Sequence, residues 1–398
     1  MRILYVASAI DAGGGSGGAT HVSEVACGLR ALGHEVAVIA RPDLSGEAQS
    51  RLECGVPLRT VKWRKELAML AAPRVQRAIK AFRPQVVMER FYNFAGAGVL
   101  GAHRAGLPVL LEVNAPMIDP PGSLKSKVDR VMLGSMRRWA VQQANWSAAI
   151  VTPLATTVPP EVPRHKIHEL PWGANVDRFD PHVRETRKVE LAALSRELGL
   201  RCDGPVAAFL GSFRSWHGVG DFAEAARLLI ERGSNLSFLA IGGGPELEPL
   251  REKVAGWNLP EGRFVFAGPQ THDRVPDYLA LADIGVAPFD LAAHAPLQAF
   301  GFYWSPLKVF EYMSMALPVV TIDVAPLNEI IREGREGLLY PAGDVAALAG
   351  AMATLASADD LRQRMGAAGR ERVVAHYSWR AHCVALDKIL EQIADAGR

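Results

Sequence analysis

The segment WSPLKVFEYMSMALPVVTID, Trp304 to Asp323, puts a cation and an acid where they could act on a bound anion. Ser305 has the chemistry of a helix N-cap and Pro306 suits the first helical position, which predicts a helix running to about Ala316. Lys308 then lies in the first turn, facing the positive end of the helix dipole, at a cost of several tenths of a kcal/mol. An anion bound at that helix end would reverse the sign. Glu311 follows on the same face, so a plain Lys308–Glu311 pair on a solvated surface is the competing reading, while Phe310 and Met313 fall on faces that pack inward. In LEVNAP, Leu111 to Pro116, strand alternation puts Glu112 and Asn114 on one side, aimed either at a ligand or at the core. A buried, helix-capping Asn114 is the alternative.

These residues need strand-to-helix turns to carry them. Ile3 to Ala9 is a short apolar run, DAGGGSGGA is a turn, and the next stretch spaces Val22, Val25, Ala26, Leu29 and Leu32 as one helical face ending at Gly33. Glu35 to Ala40 reads as a second strand, and the rhythm continues through Pro84 to Arg90 and Pro108 to Asn114. A second series places strands at Val206 to Phe213, Leu236 to Gly244, Arg263 to Gly268, Ile284 to Phe289 and Pro318 to Asp323. Strand alternating with helix predicts a parallel sheet covered on both faces. The fold class expected is α/β with two doubly wound domains, residues 1–185 and 200–375, followed by a C-terminal helical segment, 376–398, that could pack back on the first domain. Ligands of such sheets sit at the carboxyl ends of the strands.

The 398 residues exceed the usual single-domain size, and 49% hydrophobic with 22% charged residues excludes a disordered chain. A formal charge of +2 offers no broad footprint for nucleic acid. Cys27, Cys54, Cys202 and Cys383 lack metal-site spacing and read as reduced, mostly buried thiols. The start MRILYVASAI reads as a buried first strand, not a secretory leader, which favours a cytoplasmic location. Lys125, Lys127, Arg130, Arg137 and Arg138 against Asp129 read as a solvated face, with an anionic membrane surface as the alternative.

On Glu311 with PVVTID, the sequence resembles the family-4 glycosyltransferases, with the SPLK-F-E-Y-M variant of their E-x7-E signature; Tyr303 stands where the first glutamate would fall. The resemblance covers nearly the whole chain. It implies the GT-B fold of two facing Rossmann-like domains and retaining transfer from a nucleotide sugar. Glu311 would hold the donor ribose, and backbone N–H groups around Trp304 to Leu307, including Ser305 and Leu307, would face the donor hexose. The turn GSFRSWHG matches the family's diphosphate turn, with Ser212 and His217 at the positions of its Arg and Lys; Arg214 is the nearby guanidinium, suited to gripping phosphate. Gly243 and Gly244 match the family's G-x-G-P-E segment near the nucleotide, and Phe266 and Ala267 its strand end beside the base, although Phe266 also reads as core. Gly14 and Gly15 would border the donor phosphates, and Glu112 and Asn114 the acceptor.

The expected activity is therefore retaining, hexosyl-type transfer from a nucleotide-sugar donor to an acceptor, with Arg214, His217 and Lys308 neutralising the departing diphosphate and Glu311 on the ribose. No metal or other cofactor is expected, since the chain lacks a D-x-D motif at a strand end. A nucleotide-sugar 2-epimerase of the same fold, a two-domain solute-binding protein and a non-catalytic accessory subunit are the rival readings.

Overall fold

The computed structural model describes residues 1–12, 17–42 and 50–396. They form two compact units, the first of residues 1–172, 299–305 and 379–398 and the second of residues 173–298 and 306–378. The first boundary falls at Trp172, ahead of the expected 185, and the stretch 299–305 returns to the first unit, which a linear division of the chain could not show. The C-terminal helix, Trp379–Ala396, also belongs to the first unit, where it packs against the helix Gly17–Ala31.

The first unit holds seven parallel strands: β1 (Arg2–Asp11), β2 (Glu35–Arg41), β3 (Leu58–Thr60), β4 (Val86–Arg90), β5 (Val109–Glu112), β6 (Ala149–Thr152) and β7 (Ile167–Glu169). Their order is β3-β2-β1-β4-β5-β6-β7. The opening run thus forms the centre of a sheet, with Ile3 to Ala7 buried, and the direction of winding reverses between β1 and β4. The helix Gly17–Ala31 buries Val22, Val25, Ala26 and Leu29 as expected, but it ends before Leu32, which is left exposed ahead of Gly33.

The second unit holds β8 (Val206–Leu210), β9 (Ser237–Ile241), β10 (Phe264–Gly268), β11 (Ile284–Ala287), β12 (Val319–Ile322) and β13 (Gly337–Tyr340) in the order β10-β9-β8-β11-β12-β13, again all parallel. Here the winding reverses between β8 and β11. β8 and β12 are buried along their whole length, as central strands covered on both faces must be. The strand expected over Val206 to Phe213 is shorter, ending at Leu210. Gly211 follows at φ +148°, so Gly211 to Phe213 start the turn.

Three further expectations are corrected. Cys27 and Cys54 form a disulfide, with Cα atoms 5.8 Å apart; 27 residues separate them, and the β-strand winding, not local spacing, brings them together. Of the other two, Cys383 is a buried thiol and Cys202 an exposed one. The basic stretch after Ser123 is two helices, Leu124–Val131 and Ser135–Trp146, split at Leu133 and Gly134, which both have positive φ. Leu124, Val131 and Leu133 are exposed there beside the cations, so the face is not purely polar. Among the described residues no helix is long and apolar enough to cross a membrane.

Candidate active site

In the second unit the turn after β8 and the helix Leu307–Ser314 meet at the reversal of winding. Every residue of that helix from Lys308 to Ser314 is buried, because it packs on the sheet and against the helix Asp359–His376. Tyr312 fixes its position: the Tyr312 hydroxyl accepts from the Leu210 amide at 2.6 Å and donates to the Val286 carbonyl at 3.2 Å, tying the helix to β8 and β11. A Cβ on Gly285 would lie 2.4 Å from Tyr312 Cγ, so only glycine admits that ring. At the other end Arg370 donates to the Ser314 carbonyl at 2.8 Å, a cation at a helix C-terminus.

This packing leaves Lys308 in an unusual place. Its Nζ has no hydrogen-bond partner and lies 4.3 Å from the ring centroid of Phe209 and 4.7 Å from that of Phe289. Burial pushes the ammonium down to about 7, with Glu311 opposing only in part. The i, i+3 pair with Glu311 is not made: Glu311 Oε1 instead takes a hydrogen bond from His272 Nε2 at 3.1 Å. Beneath Lys308, Gly211 keeps the space open; a Cβ there would stand 3.1 Å from Lys308 Nζ and 3.2 Å from His217 Nδ1.

His217 is contacted by Ser212 Oγ at 3.1 Å, and burial followed by the Lys308 charge pushes it down to about 3. Without a ligand the imidazole is thus neutral at pH 7. Arg214 is exposed on the same turn, 5.3 Å from the Trp216 ring centroid. The turn carrying Gly243 and Gly244 is joined to this one: the Phe213 amide donates to the Gly243 carbonyl at 2.9 Å, and the Glu246 amide to the Phe213 carbonyl at 3.0 Å. Phe266 is half-buried against Phe213 and Phe264, and the Ala267 carbonyl accepts from Gln270 Nε2 at 2.8 Å.

Ser305 departs from the expectation. It does not cap the helix; its Oγ accepts from the Trp172 amide at 2.9 Å within the first unit, while Pro306 stands at the N-cap and Leu307 opens the helix with no side-chain cap. Tyr303 is likewise buried in the first unit, where burial pushes its phenol up to about 12, so it brings a neutral hydroxyl where the resembling family has a carboxylate. Gly14 and Gly15 lie outside the described residues.

In the first unit Glu112 is 3% exposed and closed in by Tyr5 Oη, which donates to Oε2, by His21 Nε2 at 2.8 Å and by Arg90 at 3.7 Å. The Arg90 guanidinium can only donate, so His21 Nδ1, 2.8 Å from it, is the acceptor and the ring proton sits on Nε2, facing Glu112. Burial works against charge at both groups. It holds His21 down at about 4, whereas for Glu112 the surrounding donors outweigh it and bring the carboxyl to about 2. Glu112 is thus an ionised core acid whose counter-charge is Arg90, and the expected acceptor contact is not available to it. His382 Nε2 completes a close buried trio with His21 and Glu112, but Arg90 occupies the far nitrogen of His21 and disfavours a cation there. Asn114 is half-buried; its Oδ1 accepts from Trp172 Nε1 at 2.6 Å and its Nδ2 has no partner. Nearby, Asn93, Met117, Asp119, Lys125, Thr156 and Phe300 help line a cavity of about 440 Å³.

Sequence reasoning missed Tyr5, His21, Arg90 and His272. Arg90 and His272 carried a readable signal, because they stand at or after the carboxyl ends of β4 and β10.

Two doubly wound parallel sheets are the architecture of the GT-B fold, which the structural neighbours share. Residues 204–358 match the family model "Glycosyl transferases group 1", and residues 16–196 match "Glycosyl transferase 4-like domain". The chain is a glycosyltransferase 4-like protein of the GT-B fold. It is 26% identical to the alpha-D-kanosaminyltransferase of Streptomyces kanamyceticus over 72% of this chain and 70% of that protein. It is 29% identical to the 2-deoxystreptamine N-acetyl-D-glucosaminyltransferase of Streptomyces fradiae over 71% of this chain and 67% of that protein. Among solved structures, a glycosyltransferase of Rickettsia africae superposes with a TM-score of 0.73 at 18% identity, covering 98% of both chains. Anabaena HepE in complex with UDP does so at 0.71 and 15%, covering 98% of this chain and 100% of that one.

Proposed function

We propose that the protein is a metal-independent, retaining glycosyltransferase whose second unit binds the nucleoside diphosphate of a sugar donor. The observation that carries this is the buried Lys308 ammonium with no hydrogen-bond partner, in the first turn of the helix that meets the turn after β8. A diphosphate supplies the missing partner. Lys308 and the exposed Arg214 then neutralise charge on the leaving group, the work a metal would otherwise do, and His217 and the uncapped helix start add hydrogen-bond donors. Glu311 accepts from the ribose hydroxyls. The bond from the sugar C1 to the diphosphate breaks, the acceptor oxygen bonds C1 on the same face, and the acceptor proton passes to the leaving phosphate oxygen. The acceptor belongs to the first unit, with Asn114 Nδ2, which has no partner, as its contact.

The Streptomyces relatives named as a kanosaminyltransferase and an N-acetyl-D-glucosaminyltransferase favour this reading over the epimerase. The test is turnover of UDP-, GDP- and dTDP-sugars against a panel of acceptors, with and without chelator. Activity should survive chelation, and Lys308→Ala should cost about 2–4 kcal/mol in kcat/KM, the scale of losing one preorganised donor. Loss of activity in chelator restored by magnesium or manganese, or an epimerised nucleotide sugar made without acceptor, would overturn it.

A further inference from the structure

We infer that His272, held by Arg178, is a positioning residue that fixes the Glu311 carboxylate for the two ribose hydroxyls; the inference rests on the ribose reading of Glu311. Arg178 Nη1 lies 2.8 Å from His272 Nδ1. A guanidinium has no acceptor, so Nδ1 must present its lone pair and the ring proton is confined to Nε2. That Nε2–H points at Glu311 Oε1 from 3.1 Å, a donor aimed at a carboxylate. Arg178 is itself anchored, its amide donating to Asn175 Oδ1 at 3.0 Å and its guanidinium pairing with Asp273 at 3.3 Å, and the His272 ring leans on Phe179 at 5.4 Å.

The relay matters because Glu311 has little else to hold it. Lys308, three residues away, points into the Phe209 and Phe289 rings and leaves Glu311 without the local ion pair that the spacing offers. With one lone pair of Oε1 taken by His272, the carboxylate keeps Oε2 and the second lone pair of Oε1. These are enough to accept from two neighbouring hydroxyls at once. Removing His272 frees the terminal torsion of Glu311, and the ligand must then order that carboxylate on binding.

The experiment compares UDP with 2′,3′-dideoxy-UDP, and GDP with its dideoxy form, by titration calorimetry on the full chain. The wild type should prefer the ribonucleotide, and Glu311→Gln should lose the preference. His272→Ala should weaken the ribonucleotide about tenfold, the equivalent of one hydrogen bond to a charged group, and leave the dideoxy form unchanged. His272→Gln, which keeps a donor at the same reach, should restore most of the loss. Equal weakening of both nucleotides by His272→Ala, or no change in either, overturns the positioning role while leaving the ribose reading intact. A preference that survives Glu311→Gln overturns the ribose reading itself, and with it the role of His272.

Discussion

The Lys308 ammonium lies over the Phe209 ring, 4.3 Å from its centroid, and no acceptor reaches it. A cation on an aromatic face recovers up to about 2 kcal/mol when desolvated, less than burial takes away, so the residue is held against its own solvation. The cost has a definite pH dependence. In the folded chain Lys308 titrates near 7, against an ordinary lysine value of 10.5. Between these the unfolded chain binds the extra proton, so stability rises with pH across that window and the penalty is complete below 7.

Lys308→Met should therefore raise the unfolding free energy without ligand. The gain should be of order 5 kcal/mol at pH 6, by the conversion of 1.36 kcal/mol per pKa step, and should shrink toward nothing above pH 10. Urea unfolding at pH 6 and pH 9.5 measures it. A variant less stable than wild type at both values would show that Lys308 is a packing residue and nothing more.

A diphosphate bound beside Lys308 should restore its proton. At pH 8, where the empty site holds Lys308 mostly neutral, binding of UDP or GDP should take up close to one proton, and affinity should fall up to tenfold per pH step above 7. Calorimetry in two buffers of different ionisation enthalpy reads the uptake directly. Lys308→Ala should flatten the profile; an unchanged uptake in that variant would assign the proton to another group.

Glu112 stabilises where Lys308 destabilises, although stability again rises with pH. Its carboxyl is held at about 2, so it contributes stability that is fully present above the ordinary carboxyl value of 4.5 and is lost as pH falls through 2. Glu112→Gln leaves the Arg90 charge buried without its partner and should cost about 3 kcal/mol, the lower end for breaking a buried pair. Nucleotide binding by the second unit should persist in the folded variant. Full stability with lost transfer would return Glu112 to an acceptor role.

The strands that were legible in the sequence were those whose burial on both faces writes a continuous apolar run, such as VAAFL of β8 and VVTI of β12. β3 and β7 have three residues each, too short to carry a period. Lys308 was legible because a cation in a first helical turn violates a local rule, and such violations mark sites. Ser305 was misread because its hydroxyl is claimed by the Trp172 amide, 133 residues away, which no local pattern encodes. The pairing of Cys27 with Cys54 and of Arg178 with His272 depends in the same way on the winding of the sheets, over 27 and 94 residues.

Tyr312 tests whether the helix carrying Lys308 and Glu311 is placed by the sheet beneath it. Its hydroxyl satisfies the buried Leu210 amide and bonds the Val286 carbonyl, one on each side of the point where the winding reverses. Tyr312→Phe leaves that amide buried and unpaired, which should cost about 1–3 kcal/mol of unfolding free energy. The same change loosens the seat of the helix, so UDP or GDP affinity should fall more than it does for a destabilising substitution in the first unit, such as Glu112→Gln. Matched losses of stability with unequal losses of binding would assign Tyr312 a share in preorganising the site. If the two variants bind nucleotide equally well, the helix is held by its apolar packing alone and the hydroxyl serves only the fold.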